Sequence, residues 1–381
     1  MEKKWYGDNF KFGVLGGGQL GRMLIQEAIN YDVRIYALDS SKEAPCGRIA
    51  DEFTVGDITD FNDVVRFGQD KDVLTVEIEN VNVEALEKLE KQGVKVFPQP
   101  RVLRLIKDKG LQKEFYMENN IPTAPFKFVN SRTDLEKAPF QIPFVQKLRT
   151  GGYDGKGVQI IKSKSDMEFA FEKPSIVEES IDFEKELSVI VARNENGETS
   201  TYPLVECEFN PDLNLVEFLF SPANVNSSVE EAAEKLAIKV VNDLDMVGLL
   251  AVELFLTKDG SLLVNEVAPR THNSGHHTIE CNETSQFEQH LRAVLNLPLG
   301  STKVKTPGVM VNLLGSAGYK GKAIYRGLEK VISKSGVNIH LYGKSETKPH
   351  RKMGHATITA DSLDEAKSLA RWVQKELVIC A

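Results

Sequence analysis

The stretch GLLAVELFLTKDGSLLVNEV, Gly248 to Val267, reads as a β-hairpin. Leu249 to Thr257 and Ser261 to Val267 are apolar runs flanking Lys258-Asp259-Gly260, and Asp-Gly between two such runs is a strong hairpin signal. A two-residue Asp-Gly turn sets Lys258 against Ser261 and, counting back along both strands, Glu253 against Glu266. Two carboxylates then share one face with β-carbons about 5 Å apart, which destabilises a sheet unless something compensates. Mg2+ is a suitable compensation, because it takes oxygen ligands, uses one or two carboxylates and is completed by nucleotide phosphates. Glu253 and Glu266 are therefore candidate metal ligands in a Mg-ATP site. A three-residue turn would shift the register by one and set Asn265 against Glu253. Two solvated glutamates on an open sheet face are the other reading, against which the apolar alternation around them speaks.

The second strand runs on into Asn265-Glu266-Val267-Ala268-Pro269-Arg270-Thr271-His272-Asn273-Ser274-Gly275-His276-His277. Arg, Asn and His side chains concentrated on a loop at a strand end point to binding or catalysis. No third metal ligand accompanies His272 and His276, which lie beside Arg270, so hydrogen bonding to a substrate is their expected role. Upstream, Gly151-Gly152-Tyr153-Asp154-Gly155-Lys156-Gly157 sits between apparent strands Phe144 to Lys147 and Val158 to Ile161. Such a loop can close over a triphosphate with backbone N–H donors and one ammonium. It lacks the spacing of a Walker loop, and an ordinary glycine-rich hairpin would look the same.

The chain opens as strand, glycine-rich turn, helix, strand: Phe12 to Leu15, Gly16 to Gly21, Leu20 to Ile29, Val33 to Leu38. Gly16-Gly17-Gly18-Gln19-Leu20-Gly21 is a formal G-x-G-x-x-G with Asp39 ending the second strand, the pattern of a dinucleotide site. Its N–H groups at a helix N-terminus suit any phosphate or carboxylate, and close helix–sheet packing alone would also require the glycines. Further strands at Glu52 to Val55, Val73 to Ile78 and Val94 to Phe97 alternate with helical segments such as Val83 to Lys91, so residues 1–100 read as one α/β domain with a parallel sheet. A helix over Arg101 to Asn119 and the prolines of Ile121-Pro122-Thr123-Ala124-Pro125 follow. Residues 101–185 form a small α+β unit, with a helical Ser165 to Glu172. Residues 186–381 hold strands at Leu187 to Val191, Thr201 to Val205 and Val216 to Phe220, a helix over Glu230 to Leu244, the hairpin and a closing helix, Leu363 to Leu377. Lys344 to His355 is a basic cluster in an otherwise acidic chain, suited to a phosphomonoester, although a solvated basic turn reads alike.

A length of 381 residues implies more than one domain packed around a cleft. Net charge of −8 and no long Lys/Arg run argue against a nucleic-acid partner. The four cysteines, Cys46, Cys207, Cys281 and Cys380, are scattered and read as reduced thiols. No apolar stretch approaches the roughly 20 residues needed to span a bilayer, and Met1 to Asn9 lacks a signal-peptide core, so no membrane association and a cytoplasmic location are expected.

Taken in order, these features resemble the ATP-grasp ligases. Gly16 to Met23, Gly152 to Gly157, Asn265 to Arg270 with His272 to His276, and Arg351-Lys352-Met353-Gly354-His355 resemble the 5-(carboxyamino)imidazole ribonucleotide synthase family, the ATPase subunit of phosphoribosylaminoimidazole carboxylase, over nearly the whole chain. The resemblance implies mixed α/β and α+β architecture: an ATP-grasp fold with a Rossmann-like pre-ATP-grasp domain, a small central lid domain and a C-terminal domain. It implies ATP between the last two, with Lys109 and Lys147 on the phosphates and Gly152, Tyr153, Asp154, Gly155, Lys156, Gly157 and Val158 covering them. Glu178, Glu179, Ser180, Ile181 and Glu186 would hold adenine and ribose, Asn265 and Glu266 would complete the nucleotide site, and Glu253 and Glu266 would hold Mg2+. Lys109 stands where the family usually has Arg, and Phe209 where it commonly has a His.

The implied reaction joins bicarbonate to 5-aminoimidazole ribonucleotide with release of ADP and phosphate, through carboxyphosphate, in purine biosynthesis. Lys156, Asp154 and Arg270 are the expected catalytic groups. Gln19, Leu20, Tyr153, Asp154, Arg270, His272 and Asn273 would face the aminoimidazole and ribose, and Lys344 and Arg351 would hold the 5′-phosphate. A homodimer is expected by resemblance only. Competing readings are another ATP-grasp carboxylate-amine ligase, an NAD-dependent oxidoreductase built on Gly16 to Gly21, and a nucleotide-binding regulator without catalysis.

Overall fold

The computed structural model describes residues 3–137, 140–152, 157–210 and 215–381. Its first sheet is parallel, in the order β3-β2-β1-β4-β5, formed by β1 (Phe12–Leu15), β2 (Ile35–Asp39), β3 (Glu52–Val55), β4 (Val73–Val76) and β5 (Lys95–Val96). The strand order reverses beside β1, so the turn that follows β1 lies at the topological switch point, where such sheets bind ligands. Helix α1 (Gln19–Asn30) buries Leu20, Met23, Leu24, Ile25 and Ala28 on one face of the sheet. Helices α2 (Phe61–Gly68) and α3 (Val83–Lys91) contribute Val64, Phe67, Leu86 and Leu89 to a separate cluster with Leu74 and Val76. The sequence reading missed α2, although Asp60 caps it by accepting from Asn62 N and Asp63 N.

Where one helix over Arg101 to Asn119 was expected, the structure has two: α4 (Pro100–Lys107) and α5 (Lys109–Glu118). The break is Asp108, extended at φ −111° and ψ 108°, whose carboxylate accepts from Gly110 N and Leu111 N as the α5 N-cap. Beyond it, β6 (Phe126–Val129), β7 (Phe144–Leu148), β8 (Val158–Ile161) and β9 (Ser175–Glu179) form a small antiparallel sheet in the order β6-β9-β7-β8, with α6 (Arg132–Glu136) beside it. The expected helix at Ser165 to Glu172 is a 3-10 turn, Lys164–Phe169.

The largest sheet runs β15-β14-β10-β12-β13-β16-β21-β19, with β11 on β10. Its strands are β10 (Phe183–Arg193), β11 (Thr199–Thr201), β12 (Val205–Asn210), β13 (Leu215–Ser221), β14 (Gly248–Thr257), β15 (Leu262–Ala268), β16 (Gly308–Leu314), β19 (Val337–Leu341) and β21 (Lys352–Thr359). The single strand expected at Thr201 to Val205 is therefore the junction between β11 and β12. Helix α7 (Ser227–Asp243) lays Val229, Ala233, Ala237, Val240 and Val241 on Leu187, Val189, Val191, Leu250, Val252 and Leu254. The period of two leaves Glu186 and Ser188 of β10, and Glu253 and Phe255 of β14, on the opposite face.

After β15 come α8 (Thr278–Cys281) and α9 (Gln286–Val294), and α9 packs on α1, placing Phe287, Leu291 and Val294 in the first sheet's core. Tyr31 OH donates to Glu288 (2.6 Å), Ser285 to Glu27 (2.7 Å), and Thr75 Oγ1 lies 2.8 Å from His290 Nε2. The tail adds β17 (Gly321–Lys322) paired with β20 (Glu346–Thr347), and β18 (Ile324–Arg326) paired with β22 (Val378–Cys380). It closes with α10 (Leu328–Ile332) and α11 (Leu363–Glu376), the latter packed on β16 through Ala366, Ala370 and Val373.

Candidate active site

The β14–β15 hairpin carries the paired acids, but not through the turn expected. Gly260 N donates to Thr257 O and Thr257 N to Ser261 O, both at 2.9 Å, with Gly260 at φ +85°: a three-residue connection. Leu256, Phe255 and Leu254 accordingly face Leu262, Leu263 and Val264. The ladder then shifts between Glu253 and Leu254, leaving Asn265 as the extra residue of a β-bulge, and Glu253 faces Glu266 after all. The two-residue turn is corrected, and the pairing argued from it holds because the bulge restores the register. Beyond it, Val264 N donates to Pro122 O and Thr123 Oγ1 to Val264 O, so the proline-rich connection covers the edge of β15.

Lys109 meets Glu266 directly, and Lys147 and Lys113 meet Glu178 beside it. Lys109, the first residue of α5, is fixed by the Asp108 cap and by its own N–H on Arg149 O (2.8 Å). Arg149 in turn grips Asp108 through Nε–Oδ1 (2.9 Å) and Nη2–Oδ2 (2.7 Å). A Cβ on Gly110 would stand 2.7 Å from Arg149 Nε, so only glycine permits this approach. The Lys109 ammonium donates to Glu266 Oε2. From β7, Lys147 Nζ donates to Asn265 Oδ1 (2.9 Å) and pairs with Glu178 Oε2 (2.6 Å). Lys113 pairs with Glu178 Oε1 at 2.6 Å. Sequence reading missed Lys113; its place four residues after Lys109, on the same face of α5, was the available signal.

Glu178 is 4% exposed at its side chain, and its carboxylate is enclosed by Lys113 and Lys147. Its backbone is paired on both sides, with Phe126 of β6 and Val145 of β7. Glu179, exposed, and Ser180 and Ile181, half-buried, form the connection from β9 into β10. Glu186 of β10 faces Cys207 and Phe255. Phe209 lies half-buried on β12, opposite Val216.

The charges respond to this arrangement. The Lys109 and Lys147 ammonium groups hold the Glu266 carboxyl low against the cost of burial. Burial, then the neighbouring charges of Glu266 and Glu186, push Glu253 up. Burial likewise pushes Glu186 to about 7. Burial would also raise Glu178, but Lys147 and Lys113 outweigh it and its acidity is strengthened. The pair Glu253/Glu266 is thus asymmetric, one carboxyl fixed as an anion and the other resisting ionisation until further positive charge arrives.

Tyr153, Asp154, Gly155 and Lys156 lie outside the described residues. The ends of their loop are close together: Leu148 N donates to Gly157 O (2.8 Å), and a Cβ on Gly157, at φ +81°, would touch the Gly152 Cα at 3.0 Å. Val158 begins β8 opposite Lys147. The loop therefore springs from the strand that carries Lys147.

Of the other expected site residues, Lys344 and Gln19 meet beside the switch point. Lys344 Nζ donates to Gln19 Oε1 (3.0 Å) and to Lys352 O (2.7 Å), joining positions 325 residues apart. Arg351 Nη1 donates to Glu346 O at 2.7 Å. Arg270 reaches Glu79, Nε to Oε1 2.9 Å. His272 Nε2 is 3.7 Å from Glu253 Oε1, and its Nδ1 is 2.9 Å from Ser274 Oγ, which meets Ser188 Oγ at 2.8 Å. Buried Gln286, unread in the sequence, clamps His272 by accepting from its N–H (2.8 Å) and donating to its carbonyl (2.7 Å). Asn273, half-buried, follows on the same loop. Leu20 turns its side chain into the core.

Two readings change. The N–H groups of the glycine-rich turn are taken by the protein's own carboxylates: Gly17 N donates to Asp39 Oδ2 (2.8 Å), Gly18 N to Glu77 Oε2 (2.8 Å) and Leu20 N to Glu77 Oε1 (3.1 Å). A Cβ on Gly18 would lie 2.2 Å from Glu77 Oε1, so the close approach belongs to a carboxylate rather than a pyrophosphate. The oxidoreductase reading loses its phosphate site. His276, expected to hydrogen-bond a substrate, is instead buried, as is the neighbouring His277. His276 Nδ1 meets Gln286 Nε2 at 3.1 Å, and its ring lies 4.7 Å from that of His355. Burial pulls both imidazoles well below their usual range.

Family models match in chain order: a ribonucleotide synthetase preATP-grasp domain over residues 10–107, an ATP-grasp domain over 114–287 and a phosphoribosylaminoimidazole carboxylase C-terminal domain over 308–369. The chain is 38% identical over 370 residues to N5-carboxyaminoimidazole ribonucleotide synthase of Bacillus subtilis, covering 95% of this chain and 93% of that one. It is 41% identical over 365 residues to the chloroplastic phosphoribosylaminoimidazole carboxylase of Vigna aconitifolia; the match takes in 93% of this chain but only 65% of that longer protein. The crystal structure of N5-carboxyaminoimidazole synthase from Aspergillus clavatus, in complex with ADP and 5-aminoimidazole ribonucleotide, superposes with a TM-score of 0.89 at 34% identity, covering 96% of this chain and 98% of that one.

Proposed function

The chain belongs to the N5-carboxyaminoimidazole ribonucleotide synthase family of ATP-grasp ligases, and from that premise we propose that it carboxylates the exocyclic amine of 5-aminoimidazole ribonucleotide, coupled to cleavage of ATP to ADP and phosphate, in purine biosynthesis. The observation that carries the reading is that Lys109 meets Glu266 and Lys147 meets Asn265 on the hairpin strand that pairs Glu266 with Glu253. Separately, the Lys344 ammonium meets Gln19 at the start of α1, beside the end of the parallel sheet.

Bicarbonate is a poor electrophile. Attack of its oxygen on the γ-phosphorus, with loss of ADP, makes carboxyphosphate; the amine takes its carbon as CO2 and phosphate leaves. Lys109 and Lys147 hold the phosphates, and the loop from Gly152 to Val158, with the Lys156 ammonium, covers the transferred group and excludes water. Glu179, Ser180, Ile181 and Glu186 line the nucleoside side. Asp154, Arg270 and His272 orient the amine and the carboxyl donor; Gln19, Tyr153 and Asn273 face the base and ribose; Lys344 and Arg351 hold the 5′-phosphate.

The donor set fits Mg2+. Glu253 and Glu266 are hard oxygen ligands, and among the described residues no group of three or more His, Cys, Asp or Glu could hold an ion unaided. That suits a cation completed by nucleotide phosphates. When bound, Mg2+ supplies charge neutralisation at the phosphates. The enzyme works in the cytoplasm as a homodimer. No helix among the described residues is long and apolar enough to cross a membrane.

The test is ADP release from Mg-ATP and bicarbonate, with and without the ribonucleotide, in wild type and Glu266→Gln. Stimulation by the ribonucleotide that disappears in the variant is expected. Release indifferent to the ribonucleotide in a folded, ATP-binding protein overturns this acceptor.

A further inference from the structure

Glu266 already carries a cation in this structure, and the cation is the Lys109 ammonium. The other lysines are differently placed. Lys113 and Lys147 share Glu178, with side chains 3% and 11% exposed, and Lys147 also donates to Asn265, so neither of them neutralises Glu266 by direct contact. The Lys109 and Glu266 side chains are 20% and 41% exposed, which makes theirs the pair that can open toward the cleft. The main chain of Lys109 is pinned by the Asp108 cap and by Arg149, so exchange of partners requires only rotation of its own side chain. A lysine ammonium is a point charge on a flexible stem with rotatable donors, suited to such an exchange.

Resting on the assignment of Glu253 and Glu266 as metal carboxylates, we propose that Lys109 is an internal counter-ion that keeps free divalent metal off Glu266 and yields it only when a nucleotide's phosphates arrive to accept the ammonium. Lys109 is then a specificity residue: the site takes metal and nucleotide together and discriminates against metal alone. Without nucleotide, a metal entering at Glu266 breaks a charge-assisted contact and strands an ammonium beside a second positive charge. Such contacts weaken metal binding on the order of tenfold to a hundredfold. With nucleotide present the ammonium has another anion, and the penalty vanishes. By linkage, metal and nucleotide each tighten the other by the same factor.

The experiment titrates Mn2+ into the full chain without nucleotide, following free Mn2+ by electron paramagnetic resonance, in wild type, Lys109→Met, Lys109→Gln and Lys109→Met/Glu266→Gln. Both single variants should bind Mn2+ at least tenfold more tightly than wild type, and the double variant should lose the gain. Two neutral replacements guard against one failing to fold, which thermal melts report. Single variants that match wild type, or a gain that survives Glu266→Gln, overturn the counter-ion role. Repeating the titration of wild type and Glu266→Gln with ADP separates this inference from the reading beneath it. Nucleotide-dependent Mn2+ binding that needs Glu266 leaves the metal assignment standing whatever Lys109 does. Binding indifferent to Glu266 removes that assignment itself.

Discussion

Replacing Glu178 by Gln should destabilise the protein as well as weaken nucleotide binding. The Glu178 carboxylate meets Lys113 and Lys147 at 2.6 Å each, and the three side chains are 4%, 3% and 11% exposed. Charge-assisted contacts contribute about 1.5–3 kcal/mol each. Removing one member of a buried ion pair typically costs about 3–5 kcal/mol, because the partner's charge is left uncompensated. Two features hold the cost near the lower figure. Glutamine keeps an oxygen that one lysine can still reach, and burial already lowers Lys113, so it can shed its proton once Glu178 is neutral. At about 2 cal/mol/K of unfolding entropy per residue, a loss of about 3 kcal/mol in a chain of 381 residues that melts as one unit lowers the melting temperature by about 4 °C. The assay is calorimetry beside Mg-ADP affinity, with Lys113→Met/Glu178→Gln as the cycle partner; removing the stranded ammonium should recover part of the loss. Glu178→Gln melting with wild type while losing affinity would refute the reasoning and return Glu178 to direct nucleotide contact.

Asp108→Ala removes both the α5 cap and the Arg149 clamp; a cap alone is worth about 1 kcal/mol, and the resulting fraying at Lys109 should weaken Mg-ATP binding severalfold by calorimetric titration, whereas unchanged affinity would show that Lys109 needs no such mooring. Burial pulls His277 and His290 down to about 4, so the fold holds both neutral. Above about pH 6.5 neither state takes a proton and their contribution is complete; as pH falls from there toward 4 the unfolded chain protonates first and stability drops, by about 3 kcal/mol per histidine. Melts between pH 7.5 and 4.5 should show that decline, and His290→Gln, which can keep a bond to Thr75, should flatten it; an unchanged slope would exclude His290 as a source.

Much of the fold follows local pattern. Phe12–Leu15, Glu52–Val55, Val83–Lys91 and Val158–Ile161 have the boundaries their apolar spacing implies, since period and capping act over a few residues. The break at Asp108 was not legible, because a helix-forming run carries no mark that Arg149, on another element, will hold its carboxylate. Nor was the turn at Lys258 to Gly260: the Asp-Gly pair suits a hairpin of either length, and only the ladder shows a three-residue turn and a compensating bulge at Asn265.

The sequence by itself determined many of the elements, the paired acids and the motif strings that carry the family resemblance, because periodicity, turn chemistry and motif strings are properties of near neighbours along the chain. Tertiary structure alone decided which groups those residues meet. It gave the N–H groups of the glycine-rich turn to Glu77 and Asp39, enclosed Glu178 between Lys113 and Lys147, set Lys109 on Glu266, and brought Lys344 to Gln19. A charge or a hydrogen-bonding group takes whichever partner lies within about 3 Å in space, and separation along the chain carries no information about that distance.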